Sequence, residues 1–95
     1  MKAWKHLVHY ALRKGCTVSV WDGEEWQLKR CEMFYPIKDA VESVDEAQIR
    51  IRNSEGKEVG WALIINGLAA DETVADCSDN AWMNEWNNVY ELTEA

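Results

Sequence analysis

The side chains best suited to chemistry are two histidines, three cysteines and several adjacent carboxylates. His6 and His9 lie three residues apart in a helical pattern, and Cys16 follows them. Structural zinc is usually held by four Cys or His ligands in closely spaced pairs. Cys31 and Cys77 have no such neighbour in the sequence. The pattern therefore predicts surface histidines, with no metal site and no cofactor.

A cysteine could instead act as a nucleophile with His9 as its base. A reactive thiol needs nearby cations or a helix N-terminus to stabilise the thiolate. Cys16 follows the end of a predicted helix, whereas Cys31 follows Lys29 and Arg30 and is better placed. The adjacent carboxylates are typical of solvated turns, and the scattered glycines form no phosphate-binding loop. The sequence as a whole predicts a protein that is not an enzyme.

The clearest chemical signal is the distribution of charge. Residues 1–66 hold ten acidic and ten basic side chains, whereas residues 67–95 hold seven acidic side chains and no basic one, so the net charge is −7. Nucleic acids and anionic membranes repel such a protein, and basic proteins attract it. We therefore expect a basic protein partner, without direct nucleic-acid or membrane binding. The partner-binding carboxylates are predicted to be Asp71, Glu72, Asp76, Asp79 and Glu85.

Residues 71–79 are predicted to form an acidic loop, and two interpretations of that loop remain open. It could simply be solvated and keep the protein soluble. Alternatively, its carboxylates could present a pattern of charge similar to that of DNA phosphates and enter a basic groove. The second interpretation makes the loop a binding surface.

The final helix, predicted over residues 80–92, has an aromatic side and an asparagine-rich side. Trp82, Trp86 and Tyr90 fall on one arc of the helical wheel. These rings can anchor the helix to the rest of the protein, or they can meet another chain, because tryptophan and tyrosine often dominate binding energy. We therefore add Trp82 and Trp86 to the predicted partner-binding residues.

The remaining elements predict an α+β fold in a single domain, residues 1–95. Apolar residues at helical spacing predict helices over about 2–14 and 36–44, and Asp22-Gly23 is typical of a tight hairpin turn. Two hairpins give a four-stranded antiparallel sheet with helices packed on it, in the order α-β-β-α-β-β-α. Residues 1–66 then form a charge-neutral αββαββ body, followed by the acidic loop and an amphipathic C-terminal helix.

The strands carry the remaining tryptophans and an alternating pair of arginines. Trp61 lies on a strand whose two faces are both apolar, which predicts a central position covered on both sides. Trp4, Trp26 and Trp61 are predicted to lie in the core, and Trp21 beside the hairpin turn is predicted to be partly exposed. Arg50 and Arg52 share one face of a strand, and three interpretations of them remain open. They could form a basic stripe, protect an edge strand from aggregation, or bridge to carboxylates on the same sheet.

In general character the chain resembles small acidic bacteriophage-encoded proteins that occupy a host enzyme or a defence complex. The resemblance rests on the short length, the tryptophan-rich core and the base-free stretch "DETVADCSDNAWMNEW". It implies a stoichiometric inhibitor, such as an anti-restriction or anti-CRISPR protein, working in the host cytoplasm. The competing hypothesis is a homo-oligomeric structural or assembly protein, such as a homodimer, with the C-terminal aromatic helix as its interface. No run of eighteen apolar residues occurs, so we expect a soluble cytoplasmic protein.

Overall fold

The computed structural model describes residues 1–94. These residues form three helices and a five-stranded antiparallel sheet, which confirms the α+β class and corrects the predicted number of strands from four to five. In chain order the elements are α1 (Ala3–Arg13), β1 (Thr17–Trp21), β2 (Trp26–Cys31), α2 (Phe34–Glu42), β3 (Glu46–Arg52), β4 (Glu58–Ile65), a 3₁₀ turn (Ala70–Glu72), β5 (Val74–Cys77) and α3 (Ala81–Glu94).

The helices follow from apolar residues at helical spacing. The apolar residues of α1 are buried as predicted, and Gly15 takes a left-handed φ of 79° just after the helix ends. The second helix begins and ends two residues earlier than predicted. Pro36 still lies in its first turn, where a missing N–H removes no hydrogen bond within the helix. None of the helices in the described part of the chain is long and apolar enough to cross a lipid bilayer.

The strand order is β2-β1-β3-β4-β5, and successive side chains in each strand point to opposite faces. One face is packed against the three helices and supplies much of the core. The residues buried on this face include Val18, Val20, Ile49, Ile51, Ala62 and Ile64. Apart from Ser19, which is buried, the other face carries half-buried and exposed side chains, and we refer to it as the open face. The prediction that both faces of β4 are covered is therefore wrong, although β4 does lie inside the sheet.

The fifth strand lies where the sequence predicts a loop. Residues 74–77 pair with β4, with Ala62 opposite Cys77 and Leu63 opposite Asp76. Backbone hydrogen bonds extend this pairing at both ends, from Ile65 N to Thr73 O and from Ser78 N to Trp61 O, each 2.9 Å long. Main-chain pairing, which does not depend on side-chain type, thus turns part of the predicted acidic loop into an edge strand.

The last helix is anchored at its start and along its inner side. Asn80 caps it, because its Oδ1 accepts a 3.0 Å hydrogen bond from the Met83 N–H and its Nδ2 donates to the Val59 carbonyl at 2.9 Å. Met83 and Trp86 are buried in the core. The Trp86 indole Nε1 also donates to Nδ1 of His6 at 3.1 Å, which ties α3 to α1.

Replacing Gly60 with Ala tests the packing of α3 on β4. A Cβ at this position would lie 2.6 Å from Sδ of Met83 and 3.2 Å from its Cγ. Because Met83 is itself buried, its side chain or the helix must shift, and we expect the free energy of unfolding to fall by about 1–3 kcal/mol. Gly67→Ala is the matched control, since a Cβ there meets nothing within 4 Å. Urea unfolding measures both variants, and equal losses would contradict the close packing.

Candidate functional site

The histidines lie between helices and do not form a site together. His6 accepts the hydrogen bond from Trp86 and packs edge-on against Tyr90, with ring centroids 5.1 Å apart. His9 stacks on Phe34 at a centroid distance of 4.0 Å. Burial, followed by the positive charge of Arg13, lowers the pKa of His9. Both rings are half-buried and contribute to packing between helices, so they are less exposed than the sequence predicts.

The three cysteines are free and separate in the fold. Burial raises the pKa of the Cys16 thiol, which is the opposite of what a nucleophile needs. Burial also raises the pKa of Cys77, and the neighbouring Asp76 and Asp79 carboxylates raise it further. Cys31 lies within 3.5 Å of the Met33 carbonyl oxygen. Within residues 1–94, no three His, Cys, Asp or Glu side chains are grouped so that they could hold a metal ion.

The predicted partner-binding carboxylates lie near β5 and the start of α3, and all of them are exposed. We call this group the acidic edge, and it consists of Asp71 and Glu72 in the 3₁₀ turn, Asp76 in β5, Asp79 before α3 and Glu85 in α3. Glu85 lies 4.0 Å from Lys14, which forms the one ion pair of this group within the described chain. The acidic edge therefore keeps most of its negative charge unmatched.

Hydrogen bonds fix two of these carboxylates in place. Oδ1 of Asp79 accepts a 3.2 Å hydrogen bond from the Asn84 amide of α3, and Oδ1 of Asp76 accepts one from the Cys77 N–H at 2.9 Å. Because α3 is itself anchored, these charges are held on an ordered framework. The predicted carboxylates are thus spread along this side of the molecule, from Asp71 and Glu72 next to Thr73, which bonds to the start of α1, to Glu85 beside Lys14 at its end.

The aromatic side of α3 packs mainly within its own chain. Trp86 is buried, which confirms that this ring anchors the helix. Trp82 is half-buried and lies edge-on to Tyr10 of α1, with centroids 5.3 Å apart. Tyr90 packs against both His6 and Trp86. Trp82 and Tyr90 are only half-buried, so part of the aromatic stripe remains exposed.

The open face is organised in rows that run across the strands. Residues directly opposite each other in an antiparallel pair lie on the same face. One row therefore crosses all five strands and consists of Trp26, Trp21, Gln48, Leu63 and Asp76. The next row contains Ser19, Arg50 and Trp61. Aromatic and cationic side chains are thus neighbours on a surface that no helix covers.

Two tryptophans that the sequence places in the core lie on this open face. Trp26 is 36% exposed and packs edge-on against Trp21, with centroids 5.1 Å apart. Trp61 is half-buried, and its indole Nε1 donates to Oε1 of Gln48 at 3.0 Å. The core prediction is therefore wrong for Trp26 and Trp61, whereas Trp4 is fully buried and Trp21 is partly exposed, as expected.

The arginine pair lies in the middle of the sheet and not at an edge. Arg50 forms a 2.9 Å ion pair with Glu58 of β4, which confirms the predicted bridge within the sheet. Arg52 donates to the Gly56 carbonyl at 3.0 Å. Beside them runs a groove of about 200 Å³, which we call the cationic groove; its lining residues are Ser19, Trp26, Lys29, Arg30, Arg50 and Arg52. The sequence alone does not predict that the two arginines lie close to Lys29, because it does not reveal that β1 lies between β2 and β3.

Acid titration of His9 provides a test of the helix contact. The pKa of His9 is lowered from 6.5, so the unfolded chain takes up a proton before the folded protein does. The unfolded state therefore binds more protons below about pH 6.5, and stability falls as pH falls through this range. We expect urea unfolding at about pH 7.5 and about pH 5.5 to show a smaller loss for His9→Gln than for the original protein. Identical pH dependences would contradict the lowered pKa.

No known family model matches the chain, and no curated protein or solved structure shows significant similarity to it. A functional proposal therefore depends on the chemistry of the surfaces themselves. Two surfaces stand out: the acidic edge, and the open face with its cationic groove.

Proposed function

We propose that the protein is a non-enzymatic inhibitor that blocks a basic, nucleic-acid-handling protein through its acidic edge. The observation that carries the proposal is the row of exposed carboxylates from the 3₁₀ turn through β5 to α3, with Lys14 as the one cation that pairs with them in the described chain. A largely unmatched negative charge on one side of a protein attracts a cationic surface and speeds its encounter with the protein.

The carboxylates of the acidic edge are held in place, which supports a role in specific binding and not only in keeping the protein soluble. Asp76 belongs to a paired strand, and Asp79 is hydrogen-bonded to α3. A surface that is ordered before binding loses less conformational entropy in the complex than a flexible acidic tail would. The acidic edge is in this respect suited to a defined partner.

The class of partner follows from electrostatics. Proteins that handle nucleic acids carry cationic grooves in which lysine and arginine neutralise phosphates. Carboxylates seated in such a groove would exclude the nucleic acid without any chemical reaction. Inhibition would then be stoichiometric, and duplex DNA or RNA would compete with the protein for the partner.

Neutralising the acidic edge tests this function. In the variant, Asp71, Asp76 and Asp79 become Asn and Glu72 becomes Gln. We expect its affinity for the captured partner to fall at least about fourfold, because each of the four exposed charge pairs contributes on the order of 0.2–1 kcal/mol. Capture from a host lysate at low salt identifies the partner, and titration of the purified pair with duplex DNA measures the competition.

The matched control removes the same charge from another part of the surface. Its substitutions are Glu24→Gln, Glu25→Gln, Glu32→Gln and Glu55→Gln, all at exposed positions. We expect this control to bind the partner nearly as well as the original protein, and both complexes to weaken as salt rises, since ions screen exposed charges. Equal binding by the two variants would exclude the acidic edge as the binding surface.

A further inference from the structure

The cationic groove holds an unusual share of the basic residues of this acidic protein. Lys29, Arg30, Arg50 and Arg52 line it, and the whole chain has ten Lys and Arg residues. Like charges gathered in one groove repel each other unless a ligand or neighbouring carboxylates neutralise them. The concentration of cations therefore needs a counter-charge.

The protein supplies that counter-charge only in part. Arg50 is neutralised by Glu58, and Arg52 is held by a backbone carbonyl that carries no net charge. Lys29 and Arg30 are exposed, and neither forms an ion pair with a carboxylate in the described part of the chain. The groove thus keeps a net positive charge and favours an anionic ligand.

An aromatic wall adjoins these cations. A second groove of about 260 Å³ shares two residues with the first, and its lining residues are Trp21, Trp26, Gln48 and Arg50. Trp26 is the shared indole, and it is one of the few large apolar side chains with more than a third of its surface exposed. A ligand that spans both grooves would touch guanidinium groups at one end and an indole at the other.

The backbone of β2 is shaped to present these side chains. Arg30 takes a left-handed φ of 50°, which is uncommon for a residue other than glycine. The pairing with β1 is irregular at this point, and the Arg30 N–H donates to Oγ of Ser19 at 2.9 Å. Such irregularities redirect side chains at functional surfaces. Here the irregular segment brings Lys29 and Arg30 to the groove.

We propose that these two grooves bind a short single-stranded segment of nucleic acid. Phosphates would occupy the cationic groove, and a planar base would stack on Trp26, since aromatic stacking beside cations is the common chemistry of single-strand binding. An acidic peptide would satisfy the cations but would leave the exposed indole without a planar partner. The net charge of −7 weighs against long polyanions, so the segment is a few nucleotides long.

Binding to labelled oligonucleotides tests the proposal directly. The probes are eight-nucleotide fluorescein-labelled oligo-dT and oligo-U, and fluorescence anisotropy at about 50 mM salt measures their affinity. With two or three phosphates neutralised, we expect the plot of log affinity against log salt to have a slope of about −1.4 to −2.1. Absence of binding at about 1 mM protein would overturn the proposal. Equal affinity for a duplex or for polyglutamate would also overturn it.

Variants locate the binding on the open face. We expect Trp26→Ala to weaken binding about 5- to 100-fold, because stacking of one base contributes a factor of this size. The double variant Lys29→Gln and Arg52→Gln should weaken it at least about tenfold and make the salt slope shallower. The matched control, Arg13→Gln with Lys57→Gln, removes the same charge at exposed positions outside the groove. Similar losses in control and groove variants would overturn the assignment.

This binding is independent of the proposed function, and the two can fail separately. The variant with a neutralised acidic edge should bind the oligonucleotide at least as tightly as the original protein, because it carries less negative charge. Loss of oligonucleotide binding in that variant would contradict a site on the open face. Conversely, the Trp26→Ala variant should still engage the basic partner protein.

Discussion

The alternation of side chains along the strands is the constraint on which the rest of the structure depends. In β1, β3 and β4 every second residue faces the helices, and all of these residues except Gly60 are aliphatic. Three helices cover one face of a sheet that is five strands wide. The residues between the buried ones must then face outward together, whatever their type. The alternation of side chains along the strands thus determines both the core and the open face.

The same sheet also separates the charges. The cations of β2 and the carboxylate of β5 lie at opposite edges, four strand spacings or roughly 19 Å apart. Ions screen exposed charges over about 8 Å at physiological salt. The β2 cations therefore act on a ligand largely without interference from β5, although the whole molecule is strongly acidic. Arg50 and Arg52 of β3 lie only two strand spacings, roughly 10 Å, from β5, so the carboxylate there still weakens the positive potential at their end of the groove. The net charge governs the solubility of the protein, whereas the local charged groups determine which ligands each surface binds.

Much of the fold could be predicted from the sequence, because helical and strand periodicities identify which residues share a face. Periodicity does not say which face is covered, and for this reason it wrongly predicts that Trp26 and Trp61 lie in the core. Residues 74–77 form a strand through main-chain pairing with β4, and no alternating aliphatic pattern in the sequence predicts that strand. Of the candidate site, the carboxylates were visible as a base-free stretch. The cationic groove could not be predicted from the sequence, because it depends on β1 lying between β2 and β3.

The bond between His6 and Trp86 joins residues 80 positions apart. Trp4 is likewise tied to Thr73, whose Oγ1 accepts its backbone N–H at 3.3 Å. On the ribosome, the first helix can pack early on β1 and α2, but the side of it that meets α3 has no partner until the last helix emerges. Contacts so distant in sequence slow folding, because a large loop must close before they form. A chain cut short by a stop codon before α3 would leave the aromatic side of α1 bare, as a target for chaperones and proteases.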